Sequence, residues 1–118
     1  MTLRTTCIGA YPKPEDLPIR DWFQIEQGLT SDGSAVTRRY TKVMSSADAE
    51  LEALLVEATQ RAVEDQIACG VDILTDGEQR RENYIHYHCR HLLGFDFDDL
   101  SKTVLRDGAY SAELPHHR

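Results

Sequence analysis

Val71-Asp72-Ile73-Leu74-Thr75-Asp76-Gly77-Glu78 is a short apolar run that breaks off in Thr-Asp-Gly-Glu, with Arg80 and Arg81 just behind it. Ile73 and Leu74 favour a buried strand. Gly77 permits a backbone turn that most residues resist. Glu78 therefore stands where a strand stops and solvent begins. In open α/β sheets and in β/α barrels, ligands bind at that carboxyl end.

Working back towards the N-terminus, a long helix precedes this strand. Ser46 is read as its N-cap, Asp48 and Glu50 suit the positive end of the helix dipole, and Gly70 is the expected residue just past its end near Cys69. Leu51, Leu54, Leu55, Ala58, Ala62 and Ile67 form its apolar stripe. Before the helix, Leu3 to Ile8 reads as a second strand, which ends at Gly9-Ala10-Tyr11-Pro12. Free N–H groups in such a turn suit a carboxylate or phosphate. Strand, helix, glycine, strand is a βαβ unit, with a right-handed crossover and parallel strands. Both strand ends would then face one site.

Composition narrows the function. The net charge of −7 disfavours nucleic acid and anionic membrane, which both reward clustered Lys and Arg. No apolar run is long enough to span a bilayer, and Met1 to Thr6 has no signal-peptide core. Cys7, Cys69 and Cys89 are an odd set without framework spacing, and read as reduced thiols of a cytosolic protein.

Elsewhere the signals are mostly structural. Pro12, Pro14 and Pro18 make Lys13 to Pro18 a loop, and Pro18 opens a helix over Ile19–Gln27 that buries Trp22 and Phe23. Leu29 to Val36 is read as a polar loop, and Arg38, Arg39 and Lys42 as a solvated basic face. Tyr84 to Leu93 reads as a short helix ending at Gly94. His86, His88, Cys89 and His91 invite a zinc reading, but their spacing does not converge on a helix, and packing is the preferred reading. Phe95 to Phe97 alternates like a strand, Asp98-Asp99 and Asp107-Gly108 signal turns, and Ala109 to Leu114 begins a further extended segment.

Two parallel strands and one crossover helix cannot close a barrel, which takes about 250 residues, or cover both faces of a sheet. The expected fold is thus α/β, and either the missing strands come from elsewhere or the chain is a piece of a larger domain.

Thr5-Thr6-Cys7-Ile8-Gly9-Ala10-Tyr11-Pro12 resembles the strand-one signature Thr-Thr-x-Ile-Gly-Ser-Phe-Pro of the cobalamin-independent methionine synthase family, in its catalytic C-terminal barrel. Cys69 to Leu74, then Asp76-Gly77-Glu78 and Arg81, resembles the family's second signature, and Gly94-Phe95 fits the turn that follows. The resemblance implies methyl transfer from 5-methyltetrahydrofolate to the thiol of homocysteine, with zinc lowering the thiol pKa. It also implies that Ile8, Gly9 and Ala10 hold the amino-acid carboxylate and that Glu78 holds the ammonium. Ala10 departs from the family's Ser, which removes one hydroxyl donor. The family's zinc ligands lie on later strands, so no metal ligand is assigned here. The resemblance thus implies a partial TIM (β/α)8 barrel with its first βαβ units only, residues 1–118 forming its N-terminal portion, a fragment that is inactive alone and whose partners are small-molecule substrates; the reduced cysteines suit a cytoplasmic setting. Two other readings are a thiol alkyltransferase of the epoxyalkane–coenzyme M type, and a non-catalytic module that binds or oligomerises through its uncovered strands.

Overall fold

The computed structural model describes residues 3–21 and 33–117. In chain order the elements are α1 (Gly33–Ser45), α2 (Ala49–Ala68), α3 (Tyr84–Cys89), β1 (Phe95–Leu105) and β2 (Tyr110–His117). They divide between two compact units, Met1–Ile19 with Ser46–Arg80, and Arg20–Ser45 with Arg81–Arg118.

The first unit is built on α2. Its N-cap is Asp48 rather than Ser46: the Asp48 carboxylate accepts from the N–H groups of Glu50 (3.1 Å) and Leu51 (2.9 Å). A carboxylate at this position satisfies two orphan donors and also meets the helix dipole, which a serine hydroxyl does less well. The C-terminal end is as expected. Cys69 caps the helix and Gly70 takes φ 73°. The N–H of Gly70 donates to the Ile67 carbonyl and that of Val71 to the Gln66 carbonyl, both at 3.0 Å, which is a Schellman closure.

Leu51, Leu55, Ala58 and Ala62 are buried along α2, as the stripe predicts, and Leu54 is half-buried. The last member is different. Ile67 is 59% exposed, and Gln66 is buried in its place. The Gln66 amide donates to the carbonyls of Ala62 (2.7 Å) and Thr75 (3.0 Å), and its Oε1 accepts from the Thr75 N–H at 3.0 Å. A buried amide is tolerated because its hydrogen bonds are made. It ties the helix to the segment that leads into Gly77.

The two predicted strands meet as a single parallel bridge, Thr6 with Ile73. The Ile73 N–H donates to the Thr5 carbonyl at 3.0 Å, and the Thr6 hydroxyl to the Ile73 carbonyl at 2.8 Å. The Asp72 carboxylate accepts from the N–H (2.7 Å) and hydroxyl (2.9 Å) of Thr5, which together hold its pKa below 3.8. The pairing and its direction agree with a βαβ unit, but the expected burial does not hold. Ile73 is 46% exposed, Leu74 40%, and Ile8 fully exposed. Among the described residues no further strand lies against either of these two, so their apolar side chains stay exposed.

In the second unit, α1 occupies Gly33–Ser45, so Gly33 to Val36 is helix and not the end of a polar loop. Tertiary packing overrides the weak local signal: Thr37 and Tyr40, three apart on one face, are buried, while Arg38, Arg39 and Lys42 are exposed. The helix expected over Ile19–Gln27 falls mostly outside the described residues, as do Trp22 and Phe23, and Ile19 to Asp21 are not helical.

Asn83 caps α3 through the N–H groups of Ile85 and His86, and the helix ends at Cys89, four residues earlier than Leu93. β1 and β2 pair antiparallel from Leu105–Tyr110 outward. The turn expected at Asp98-Asp99 lies inside β1, as a break in register between Asp96 and Leu100. There the Asp98 N–H bonds back to the Asp96 carboxylate at 2.9 Å. The turn chemistry was legible, but it bends the strand instead of ending it. Asp107 (φ 54°) and Gly108 (φ 91°) make the hairpin turn, as predicted. The chain is therefore α/β, but its only sheet among the described residues is this antiparallel pair.

Candidate functional site

The residues expected to form a site belong to two turns of the first unit. Gly9 (φ 84°) leads the first turn into Tyr11 and Pro12. The second is Asp76-Gly77-Glu78, where Gly77 has φ 63° and Glu78 φ 57°. Glu78 is a non-glycine residue in left-handed backbone, a conformation that L-residues resist and that clusters at functional sites.

The turns are joined through the backbone. The Tyr11 N–H donates to the Gly77 carbonyl at 2.9 Å. The packing there has no slack, since a Cβ on Gly77 would stand 2.7 Å from Tyr11 Cβ and 3.0 Å from Ala62 Cβ. Only glycine satisfies both the φ and the space.

Side chains from both turns reinforce the join. Gln79, with no exposed surface, directs its amide nitrogen to the carbonyls of Tyr11 (3.2 Å), Gly77 (3.3 Å) and Pro12 (3.4 Å). Lys13, 8% exposed, donates from Nζ to the Glu78 carbonyl at 3.0 Å. The Glu78 N–H is held by the Asp76 carboxylate at 2.9 Å, and the Gly77 N–H contacts the Thr75 hydroxyl at 3.3 Å. Burial raises the Tyr11 phenol above its ordinary 10.0, with Asp65, Cys69 and Cys7 adding to the effect, so it stays protonated at neutral pH.

Thus Ile8, Gly9 and Ala10 lead directly into a turn that is bonded to the Glu78 turn. Ile8 and Gly9 are exposed, while Ala10 and Glu78 are partly buried. A rim with exposed backbone on one turn and a carboxylate on the other can take a zwitterion: N–H groups suit a carboxylate, and a carboxylate suits an ammonium. Neither Lys13 nor Gln79 carries a distinctive sequence signal: Lys13 sits in a proline-rich loop, and Gln79 is a neutral amide beside the acidic Glu78.

The histidine cluster lies in the second unit and does something else. The His86 Nδ1 lies 2.9 Å from the Thr37 hydroxyl, and Nε2 2.8 Å from the Glu113 carbonyl. A carbonyl only accepts, so Nε2 carries the proton and Nδ1 accepts from Thr37. Burial lowers the His86 pKa below 6.5, against the opposing bond to Glu113 and the charge of Glu82. His86 also meets Phe97 edge to face, as Tyr87 meets His88 and His91. Beside it, Arg90 pairs with buried Glu82, its guanidinium 4.5 Å from the Tyr40 ring centre and 4.7 Å from that of Phe97. Arg81 contacts the His88 ring at 3.2 Å. Among the described residues no three His, Cys, Asp or Glu side chains converge as metal ligands. Nor is any helix there long and apolar enough to cross a membrane.

Residues 3–110 match the family described as cobalamin-independent synthase, catalytic domain. The chain is 30% identical over 95 residues to a methionine synthase of Sulfurisphaera tokodaii, covering 80% of this chain and 23% of that one. A methionine synthase of Sulfolobus acidocaldarius matches with the same identity and coverage. Among solved structures, a B12-independent methionine synthase from Shewanella sp. W3-18-1 in complex with selenomethionine superposes with a TM-score of 0.64 at 27% identity, over 96% of this chain and 28% of that one. The chain spans about a quarter of the length of these relatives.

Proposed function

The chain belongs to the cobalamin-independent methionine synthase family, in its catalytic-domain branch, and from that premise we propose that residues 1–118 are the opening part of a cytoplasmic β/α barrel that binds the amino-acid substrate of a methyl transfer. The substrate is homocysteine, and the methyl donor is a 5-methyltetrahydrofolate. Ile8, Gly9 and Ala10 receive the amino-acid carboxylate through backbone N–H groups, and Glu78 receives the ammonium. The observation that carries this reading is the joining of the two turns through Tyr11 and Gly77. Ala10, without the hydroxyl of the family's Ser, leaves the carboxylate to backbone donors.

The described residues do not fit a zinc ion. No set of three ligands converges, and both ring nitrogens of His86 are already hydrogen-bonded. The role proposed for Ile8, Gly9, Ala10 and Glu78 is to hold and orient the amino acid.

The test is a binding titration of the native protein with L-methionine, the product amino acid, and with its deamino analogue, which lacks the ammonium. Glu78→Gln should weaken methionine binding at least about tenfold and leave the analogue unchanged, since it removes the charge opposite the ammonium. Equal methionine affinity in both proteins would overturn the reading. A thiol that bears a sulfonate and no ammonium, as in the coenzyme M type of transferase, would gain nothing from Glu78.

A further inference from the structure

We propose that Lys13 is a positioning residue of this site: by donating to the Glu78 carbonyl, it holds Glu78 in the left-handed backbone from which its carboxylate is presented. The inference rests on the amino-acid-binding reading above and adds a specific residue to it. Both flanking peptide groups of Glu78 are fixed. Its N–H is held locally by Asp76 at 2.9 Å, and its carbonyl by Lys13 Nζ at 3.0 Å, from 65 residues away in sequence. Only the second bond couples the Glu78 turn to a side chain of the other turn.

The placement of Lys13 itself argues for a purpose. A lysine ordinarily keeps its ammonium in water and is rarely buried without partners. Here the residue is 8% exposed, and its ammonium reaches a backbone carbonyl rather than bulk solvent. Ordering four side-chain torsions against entropy is offset when the bond made is charge-assisted. The residue it holds has φ 57°, where relaxation towards ordinary backbone would swing the Cα–Cβ direction away. Lys13 therefore acts through Glu78 and need not touch the ligand.

The experiment uses the native protein, L-methionine and its deamino analogue. Lys13→Met removes the donor and keeps most of the side-chain volume. It should raise the Kd for methionine about tenfold, leave the Kd for the analogue within about twofold, and be largely rescued by Lys13→Arg. Equal weakening of both ligands would mean that Lys13 only supports the fold, and would overturn the proposal. So would an unchanged Kd for methionine. Should Lys13→Met fail to fold, Lys13→Gln, shorter and uncharged, takes its place with the same expected split. If the native protein binds neither ligand, the amino-acid reading itself falls, and this inference falls with it. The native control therefore separates the two failures.

Discussion

Tyr11 and Gly77 are in contact through both backbone and packing: the Tyr11 N–H donates to the Gly77 carbonyl at 2.9 Å, and Tyr11 Cβ leaves no room for a Cβ on Gly77. This contact ties the ends of two segments that also meet in the parallel bridge between Thr6 and Ile73 and in the bonds of Asp72 to Thr5.

Gly77→Ala tests that contact. Alanine must hold φ 63° and place its Cβ 2.7 Å from Tyr11 Cβ and 3.0 Å from Ala62 Cβ. Neither neighbour is the far end of a flexible side chain. The expected loss is about 2–4 kcal/mol of stability, from backbone strain and overpacking together. Chemical denaturation of the two proteins measures it. A loss below about 1 kcal/mol would mean that the turns separate readily.

Asp48→Ala and Ser46→Ala separate the two residues that compete for the N-cap of α2. Asp48 accepts both capping bonds. Its replacement should cost about 1 kcal/mol, and Ser46→Ala only a few tenths. The difference in thermal midpoint between the variants reads it directly. Equal losses would return part of the cap to Ser46.

His86 should make stability depend on pH in one direction. Burial holds its folded pKa below 6.5, so near that value the unfolded chain takes up a proton before the folded one. Its contribution is fully present above pH 6.5 and is lost as pH falls through 6.5 towards the folded value. Glu82 and the Glu113 carbonyl favour the charged ring, and Arg90 opposes it, so the window closes at the folded pKa set by their balance. His86→Asn should flatten the midpoint against pH below 6.5 relative to the native protein. An unchanged slope would assign the dependence to other groups.

What the sequence determined by itself is short-range. The length of α2, its Gly70 closure, the turn at Gly77 and the hairpin turn at Asp107-Gly108 follow from periodicity and from backbone that only a few residue types adopt. Chain topology added the parallel pairing of Thr6 with Ile73. That the chain turns at Gly9 and at Gly77-Glu78 is legible because a turn after a strand has a recognisable composition. Tertiary structure decided the rest, because each remaining feature depends on a partner far away in sequence. Gly33 to Val36 became helix because α1 has Thr37 and Tyr40 to bury. Gln66 displaced Ile67 from the buried face because the Thr75 backbone met both ends of its amide. Ile73 and Leu74 stayed exposed because no further strand lies against them among the described residues. Lys13 and Gln79 gained their roles only when folding brought carbonyls 65 to 68 residues away within hydrogen-bonding reach. Local preference sets where the backbone turns, but which polar side chain is buried depends on whether its hydrogen bonds can be satisfied there, and that is settled in three dimensions.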